Sequence, residues 1–145
     1  MNFSAIMIGG VVPAICLGLG TVLMRASIGA GASIPVYLAS VGTIIAVIGW
    51  SWVATQDFAG STLPGIGFAL GMGLVWTIAI SCMAYGFGTL RLPASIVAPL
   101  TNSNAIVAVL LGSFIFGEWR SLQMPQVALG TLLICAGATC VSLAR

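Results

Sequence analysis

Apolar residues dominate five stretches of the chain, separated by short segments that hold the charged and turn-forming residues. A hydrocarbon core of ~30 Å takes about 20 residues of helix, and each stretch reaches that length. The predicted spans are 5–24, 34–54, 63–89, 93–117 and 124–143. The pattern therefore predicts an all-α integral membrane protein, with all 145 residues in a single transmembrane domain.

The fourth stretch is interrupted near its middle by a run of polar residues, Thr101, Asn102, Ser103 and Asn104, here called the polar belt. In a helix that begins at Pro93, Asn102 lies roughly 13 Å along the axis, close to the midplane of a bilayer. Successive residues turn by ~100°, so the four cannot share one packed seam. An unpaired amide in hydrocarbon costs on the order of a few kcal/mol. The belt therefore predicts either polar neighbours or a wet pocket.

The third stretch carries a second polar stripe, in which Thr77, Ser81 and Tyr85 recur every four residues beside Trp76. A turn of only a few residues joins the third and fourth stretches, which predicts that they are antiparallel neighbours. For Trp76 and Ser81, lining of a pocket and ordinary helix packing are equally good interpretations. Tyr85 has packing or a place in an interfacial aromatic belt as its alternative.

Two prolines lie inside predicted spans, and helix kinks are predicted at both Pro99 and Pro13. Each proline removes the N–H that would bond the carbonyl four residues earlier. Pro99 thereby frees the carbonyl of Ser95, one to two turns from Asn102. Exposed backbone beside side-chain amides is a common way to build a midplane site. A kinked but fully packed helix is the alternative.

The composition excludes several classes of function. Residues are 60% hydrophobic and 4% charged, with a mean hydropathy of +1.21, whereas soluble domains carry about 25% charged residues. With no His, and with Asp57 and Glu118 at span ends, no general acid–base pair can form inside the bundle. The cysteines lack metal-ligand spacing. We therefore expect no enzyme activity, no metal and no cofactor, and a net charge of +2 gives no sign of nucleic-acid binding.

Several short motifs together suggest a family. They are Tyr85 before a short turn, Ala98-Pro99-Leu100, Phe116-Gly117-Glu118, the run from Gly130 through Leu133-Ile134 to Gly137, and Gly18-Leu19-Gly20-Thr21-Val22-Leu23-Met24-Arg25 in the first span. In these features the chain resembles the EamA-like repeat of the drug/metabolite transporter superfamily. Two departures matter: Asn104 stands where many members have a second proline, and the first span has no Glu like that of the small multidrug resistance branch. The missing Glu argues against proton-coupled efflux of lipophilic cations.

The resemblance implies a ten-helix transporter built from two five-helix repeats of opposite orientation, with inverted symmetry around a midplane site. One such chain would supply one repeat, so an antiparallel homodimer or a paralogous heterodimer in a bacterial-type inner (cell) membrane is expected. Dual topology fits the weak charge bias of three basic residues against one, which slightly favours a cytoplasmic C-terminus. The charges of one side are Arg25, Arg91 and Arg145, and those of the other are Asp57, Glu118 and Arg120.

The leading functional interpretation is a small transporter that moves a metabolite or drug-like compound by alternating access. Without a buried charge, the solute would be neutral or zwitterionic, or a cation weakly held on aromatic faces. The competing interpretation is a non-transporting subunit whose asparagines pair with the helices of a larger membrane partner. The predicted substrate-binding residues lie between the third and fourth spans: Asn102, Asn104, Thr101, Ser81, Tyr85 and Trp76.

Overall fold

A computed structural model of the chain describes residues 3–56, 61–117, 120 and 123–143. All regular secondary structure in these residues is helical, which confirms the all-α prediction. Five segments are long and apolar enough to cross a membrane, as predicted. They are Phe3–Gly29, Ile34–Val53, Leu63–Gly88, Ala94–Ile115 and Met124–Leu143.

Two of the five segments are irregular helices. The first comprises α1 (Phe3–Ile6), a π-helical turn (Met7–Val11) and α2 (Val12–Gly29). The fourth comprises α5 (Ala94–Asn102) and α6 (Asn104–Ile115). The remaining spans are single helices: α3 (Ile34–Val53), α4 (Leu63–Gly88) and α7 (Met124–Leu143).

The helices group into two compact units, Met1–Arg91 and Leu92–Arg145, called here the N-terminal and C-terminal units. In the N-terminal unit, α2, α3 and α4 contact one another. In the C-terminal unit, α7 contacts both α5 and α6. Few of the residues that the structure describes are buried in either unit. They are Met24, Ala84, Gly86 and Phe87 in the N-terminal unit, and Val97, Ser113 and Ala138 in the C-terminal unit.

Proline and glycine mark the helix boundaries. Prolines occupy the first turns of α3 and α4, where a missing N–H costs no hydrogen bond. Thr62 caps α4, because its hydroxyl oxygen accepts the N–H of Gly65 at 3.3 Å. Positive φ angles of 99° at Gly31 and 68° at Gly117 follow α2 and α6, and glycine adopts such angles without strain. These local signals explain why the boundaries of the second, third and fifth spans match the prediction closely.

The first span differs from its predicted end at Met24. Helix α2 continues through Arg25 to Gly29, so part of the segment between the first two predicted spans is helical. Ser27 and Ile28 do not break a helix, and Arg25 has a partner on α4 that accommodates its charge. The charged residue therefore lies within the helix. Of the residues used to predict sidedness, Asp57, Glu118 and Arg145 lie outside the described residues.

Candidate functional site

The fourth span is interrupted inside the polar belt. Helix α5 ends at Asn102 and α6 begins at Asn104, with Ser103 in a turn between them. The N–H of Ser103 donates to the carbonyl of Leu100, and the N–H of Ile106 donates to that of Ser103, both at 3.1 Å. These bonds span three residues rather than four, so the backbone winds more tightly here. The sequence predicted one span over 93–117 with a kink at Pro99, and the structure places the irregular backbone at Ser103.

Pro99 gives a physical reason for the irregular backbone. It has no N–H to donate to the carbonyl of Ser95, so the helical ladder is already weakened one turn before the interruption. Thr101 then donates its hydroxyl to the preceding turn, with Oγ1 3.0 Å from the Val97 carbonyl and 2.9 Å from the Ala98 carbonyl. The Thr101 proton is therefore committed to its own helix, which leaves this side chain able to accept but not to donate.

The two asparagines are the polar groups of the belt that remain available. Both Asn102 and Asn104 are exposed, and neither side chain has a hydrogen-bond partner among the described residues. Each amide offers two donors and one acceptor. At the middle of a membrane span such groups need a partner, because hydrocarbon supplies none. The interruption therefore presents two amides, on different faces of the span, that can each bind an external polar group.

The three predicted site residues on α4 lie in the N-terminal unit. Trp76 and Ser81 are half-buried, and Tyr85 is 50% exposed. Ser81 donates to the carbonyl of Thr77 at 2.7 Å, and Thr77 donates to that of Gly73 at 2.8 Å. Both hydroxyls thus bond their own helix. The Trp76 indole and the Tyr85 hydroxyl are the remaining donors of this stripe, and neither has a partner in the described part of the chain.

The six predicted residues therefore fall into two groups, one in each unit. Trp76, Ser81 and Tyr85 share α4, while Thr101, Asn102 and Asn104 share the interrupted span. Within each group the residues lie within three helical turns of one another. A single site formed by both groups stays a prediction.

The second intramembrane proline, Pro13, follows a different irregularity. The N–H of Val12 reaches back five residues to the carbonyl of Met7, which closes the π-helical turn Met7–Val11. In the ordinary helical register the Gly9 carbonyl would have no donor at Pro13, and the π-helical turn ends two residues before that proline. The kinks predicted at Pro13 and Pro99 stay predictions.

Sequence patterns did not indicate the contact that Arg25 makes. Its Nη1 donates to the backbone carbonyl of Phe87 at 3.0 Å, and its Cζ lies 5.9 Å from the centroid of the Phe87 ring. Arg25 is half-buried and Phe87 is 1% exposed. From the sequence, Arg25 was expected only as a charge at the membrane edge. Glycines 86 and 88 near the end of α4 are a signal for close helix approach that could have suggested a partner.

No metal or nucleophilic centre is formed by the described residues. Cys16, Cys82, Cys135 and Cys140 are all free thiols, and three of them are exposed. Within residues 3–56, 61–117, 120 and 123–143, no three His, Cys, Asp or Glu side chains come together as metal ligands do. The chemistry that this part of the chain offers is hydrogen bonding and aromatic contact.

Comparison with known proteins adds no relative. No protein-family model matches the chain, and no curated protein or solved structure matches it. The class of the protein therefore follows from its helices: five spans of sufficient length and apolar character, as in a multi-pass membrane protein.

Proposed function

We propose that the chain is a small membrane transporter that moves a neutral or zwitterionic compound by alternating access. The observation that carries the proposal is the interruption of the fourth span at Ser103, between two exposed asparagines. Transporters commonly bind their solutes near the midplane at discontinuous helices, and the one-residue turn at Ser103 is a mild irregularity of that kind, with φ −64° and ψ −9°. Polar groups placed there at an energetic cost are functional by default.

The chemistry of the belt defines the class of solute. Asn102 and Asn104 both donate and accept hydrogen bonds, and Thr101 adds an acceptor, which suits hydroxyl, amide or carbonyl groups. The described residues of the spans include one ionisable cation, Arg25, and it is bonded to Phe87. A solute with a single unpaired charge would therefore be desolvated without compensation. Trp76 and Tyr85 on α4 are the other predicted binding residues with a donor that is free in the described part of the chain, and their rings suit apolar contact and stacking.

The proposed active form is a pair of chains. The simplest pair is an antiparallel homodimer, and an antiparallel heterodimer with a paralogous chain is the other possible pair. The resemblance to the EamA-like repeat supports it. So does α4, where a Cβ added at Gly67, Gly71 or Gly73 would meet nothing within 4 Å. Gly67 and Gly71 are four residues apart, and Gly73 lies four residues after Ala69, which is the spacing that lets helices approach closely in lipid. A second copy of the chain would cover this face.

Reporter enzymes fused to the C-terminus test the antiparallel pairing. Dual insertion predicts activity from a periplasmic and from a cytoplasmic reporter on the same chain. Adding two lysines after position 143 should shift the population toward one orientation, because the existing bias is weak. Signal from a single side in the unaltered chain contradicts a self-paired antiparallel dimer and leaves a paralogous partner as the arrangement to test.

Flux through proteoliposomes tests the transport function. Purified protein is first screened for compounds that raise its apparent melting temperature, since ligand binding stabilises the folded state. The stabilising compounds are then assayed for saturable uptake. Asn102→Ala should reduce flux about thirtyfold, because the hydrogen bonds of one amide contribute ~2 kcal/mol. Gln126→Ala is the matched control, since it removes an exposed amide near the start of α7 in the same unit.

The alternative is a non-transporting subunit in which Asn102 and Asn104 pair with helices of a larger membrane protein. Their exposure and lack of partners among the described residues favour this alternative as well. Intramembrane amide pairs of this kind contribute ~0.6–2 kcal/mol each. The two proposed functions predict different outcomes for complex formation and for flux. A stable complex with a larger protein, weakened by Asn102→Ala and without saturable flux, overturns the transport proposal.

A further inference from the structure

The C-terminal ends of α2 and α4 are joined by four residues, here called the clasp: Arg25 and Ile28 on α2, and Phe87 and Gly88 on α4. Arg25 donates from Nη1 to the Phe87 carbonyl at 3.0 Å and lies over the Phe87 ring. One turn along α2, Cγ2 of Ile28 would be 3.1 Å from a Cβ built on Gly88. Only glycine at position 88 allows this approach without a shift of its neighbour. The clasp therefore combines one polar bond with one close apolar contact.

The Arg25 bond satisfies a group that α4 cannot satisfy by itself. Phe87 is the second-last residue of α4, and its carbonyl belongs to the last four, which lack an intrahelical donor. The N–H groups of Thr89 and Leu90 both bond the Tyr85 carbonyl instead, at 2.9 and 3.3 Å. A cation at this end also opposes the negative pole of the helix dipole, and α4 has no basic residue of its own in its last turn. Arg25 thus caps α4 from a neighbouring helix.

The clasp holds α4 at one end. Among the described residues of the N-terminal unit, the Arg25–Phe87 bond is the side-chain hydrogen bond that joins two helices, since the others connect residues three or four positions apart. Buried residues also gather at this end, at Met24, Ala84, Gly86 and Phe87. At the other end of α4, every residue from 63 to 75 is exposed. Contact between α2 and α4 is therefore concentrated where the clasp lies.

We infer that the clasp is a gate at one side of the membrane, and that Arg25 is the positioning residue that keeps this gate closed. The inference rests on the proposed transport function. Tyr85 lies within one turn of the clasp, and its carbonyl receives two of the N–H groups that end α4. Release of Arg25 from the Phe87 carbonyl frees this end of α4, and Tyr85 moves with it. A single charge-assisted hydrogen bond to a backbone oxygen can break and re-form without any change of protonation.

Cysteine accessibility at the two ends of α4 tests the gate. Cys82 lies ~9 Å from the clasp end of α4, and Ala69 lies ~9 Å from the opposite end. Two single-cysteine chains are made, one with Cys82 alone and one with Ala69→Cys alone. Both are reconstituted in nanodiscs, where a membrane-impermeant maleimide reaches both membrane faces whatever the orientation of insertion. Arg25→Met, which keeps the length of the side chain and removes its charge, should raise Cys82 labelling about tenfold, as expected for loss of one charge-assisted bond. Labelling at position 69 should fall.

The opposite changes at the two ends separate a gate from a merely structural contact. If Arg25 only stabilises the fold, Arg25→Met raises labelling at both positions or at neither, and either outcome overturns the inference. Arg91→Gln is the matched control, because it removes a cation after the same end of α4 from an exposed side chain and should leave both rates unchanged. If Arg91→Gln changes cysteine labelling as much as Arg25→Met does, the change follows from net charge, and the gate is overturned.

A second variant keeps the test decisive if Arg25→Met yields little folded protein. Arg25→Lys retains the charge but loses the planar fork, and should shift labelling in the same directions by a smaller factor. Wild-type labelling at both positions in Arg25→Lys, together with loss of folded protein in Arg25→Met, assigns Arg25 to folding and overturns the inference. Labelling needs no substrate. Opposite changes in a protein without flux would therefore support the gate while contradicting the proposed transport.

Discussion

In the N-terminal unit, the Phe87 carbonyl at the end of α4 accepts a hydrogen bond from Arg25 on α2, and a π-helical turn precedes Pro13. The belt in the C-terminal unit, by contrast, leaves side-chain amides without a partner among the described residues. In the C-terminal unit, the turn at Ser103 separates α5 from α6. There Asn102 and Asn104 have no side-chain partner among the described residues.

The contrast between the two units indicates which irregularity is a candidate for a binding site. Both units contain an intramembrane proline, so a proline alone does not mark a site. A proline in apolar surroundings, like Pro13 beside Gly9 and Gly10, can be accommodated by a shift of backbone register. A proline one turn from a polar belt adds backbone polarity to side chains that already need partners. The combination at Pro99, and not the proline itself, supports a binding site.

The largest effect that separates the two prolines is expected from Pro99→Ala. An interior proline disfavours a helix by ~3 kcal/mol, so its removal favours a continuous fourth span over the interrupted one. We expect flux of the stabilising compound to fall about thirtyfold. If the continuous helix gains ~2 kcal/mol over the interrupted one, the interrupted conformation that binds the solute is populated about thirtyfold less. The apparent melting temperature should rise. Flux in proteoliposomes and thermal unfolding by tryptophan fluorescence measure the two effects.

The opposite signs make this variant informative. A general structural defect would lower both flux and melting temperature, which contradicts the role assigned to Pro99. The matched control is Pro93→Ala. Pro93 precedes the first helical residue of α5, where a backbone N–H would have no acceptor within the helix. Pro93→Ala should leave flux within about twofold of wild type.

The next largest effect concerns stability of the N-terminal unit and should come from Gly88→Ala. An added Cβ would lie 3.1 Å from Ile28 Cγ2, so α2 and α4 must separate slightly. We expect a loss of about 1 kcal/mol in the free energy of unfolding, as for a mildly overpacked contact. Chemical unfolding in detergent with tryptophan fluorescence measures it.

Gly73→Ala is the control on the same helix, where an added Cβ meets nothing within 4 Å. It should be neutral in the monomer, or stabilising by a few tenths of a kcal/mol through helix propensity. Equal destabilisation by Gly73→Ala and Gly88→Ala would contradict a close contact confined to the clasp end of α4.

The fold was predictable to the extent that its signals are local. The apolar lengths gave five spans, and prolines or glycines near helix ends located boundaries such as Ile34 and Met124. The end of α2 was missed because a charge at Arg25 suggested the membrane edge, while its long side chain has a partner on a helix far along the chain. No periodicity within one helix encodes such a partner.

The candidate site was predictable in composition but not in geometry. Four polar residues inside an apolar span identified the belt from sequence alone. The position of the interruption at Ser103, rather than at Pro99 itself, depends on which hydrogen bonds the surrounding residues offer. The commitment of Thr101 and Ser81 to carbonyls of their own helices likewise required the structure. These bonds divide the predicted residues into those able to donate to a solute and those that are not.

A smaller effect is therefore expected from Thr101→Val than from Asn102→Ala. Valine preserves the shape of threonine, and the lost hydroxyl proton was bonded to Val97 and Ala98 rather than offered to a solute. We expect flux to fall about threefold, since only an acceptor and some local backbone support are removed. A loss as large as that of Asn102→Ala would show that the hydroxyl contacts solute directly, and would restore Thr101 as a donor in the site.

The smallest effect is expected from Pro13→Ala, which tests the other side of the comparison. The new N–H at position 13 can bond the Gly9 carbonyl in the ordinary register, so the π-turn should become α-helical without leaving an unpaired group. Because the surrounding residues are apolar and offer no polar group to a solute, flux should stay within about twofold of wild type. Amide hydrogen exchange across residues 7–14 should slow as the turn becomes regular. A reduction of flux as large as that caused by Pro99→Ala, with normal folding, would mean that the π-turn itself takes part in transport, and the distinction between the two prolines would then be lost.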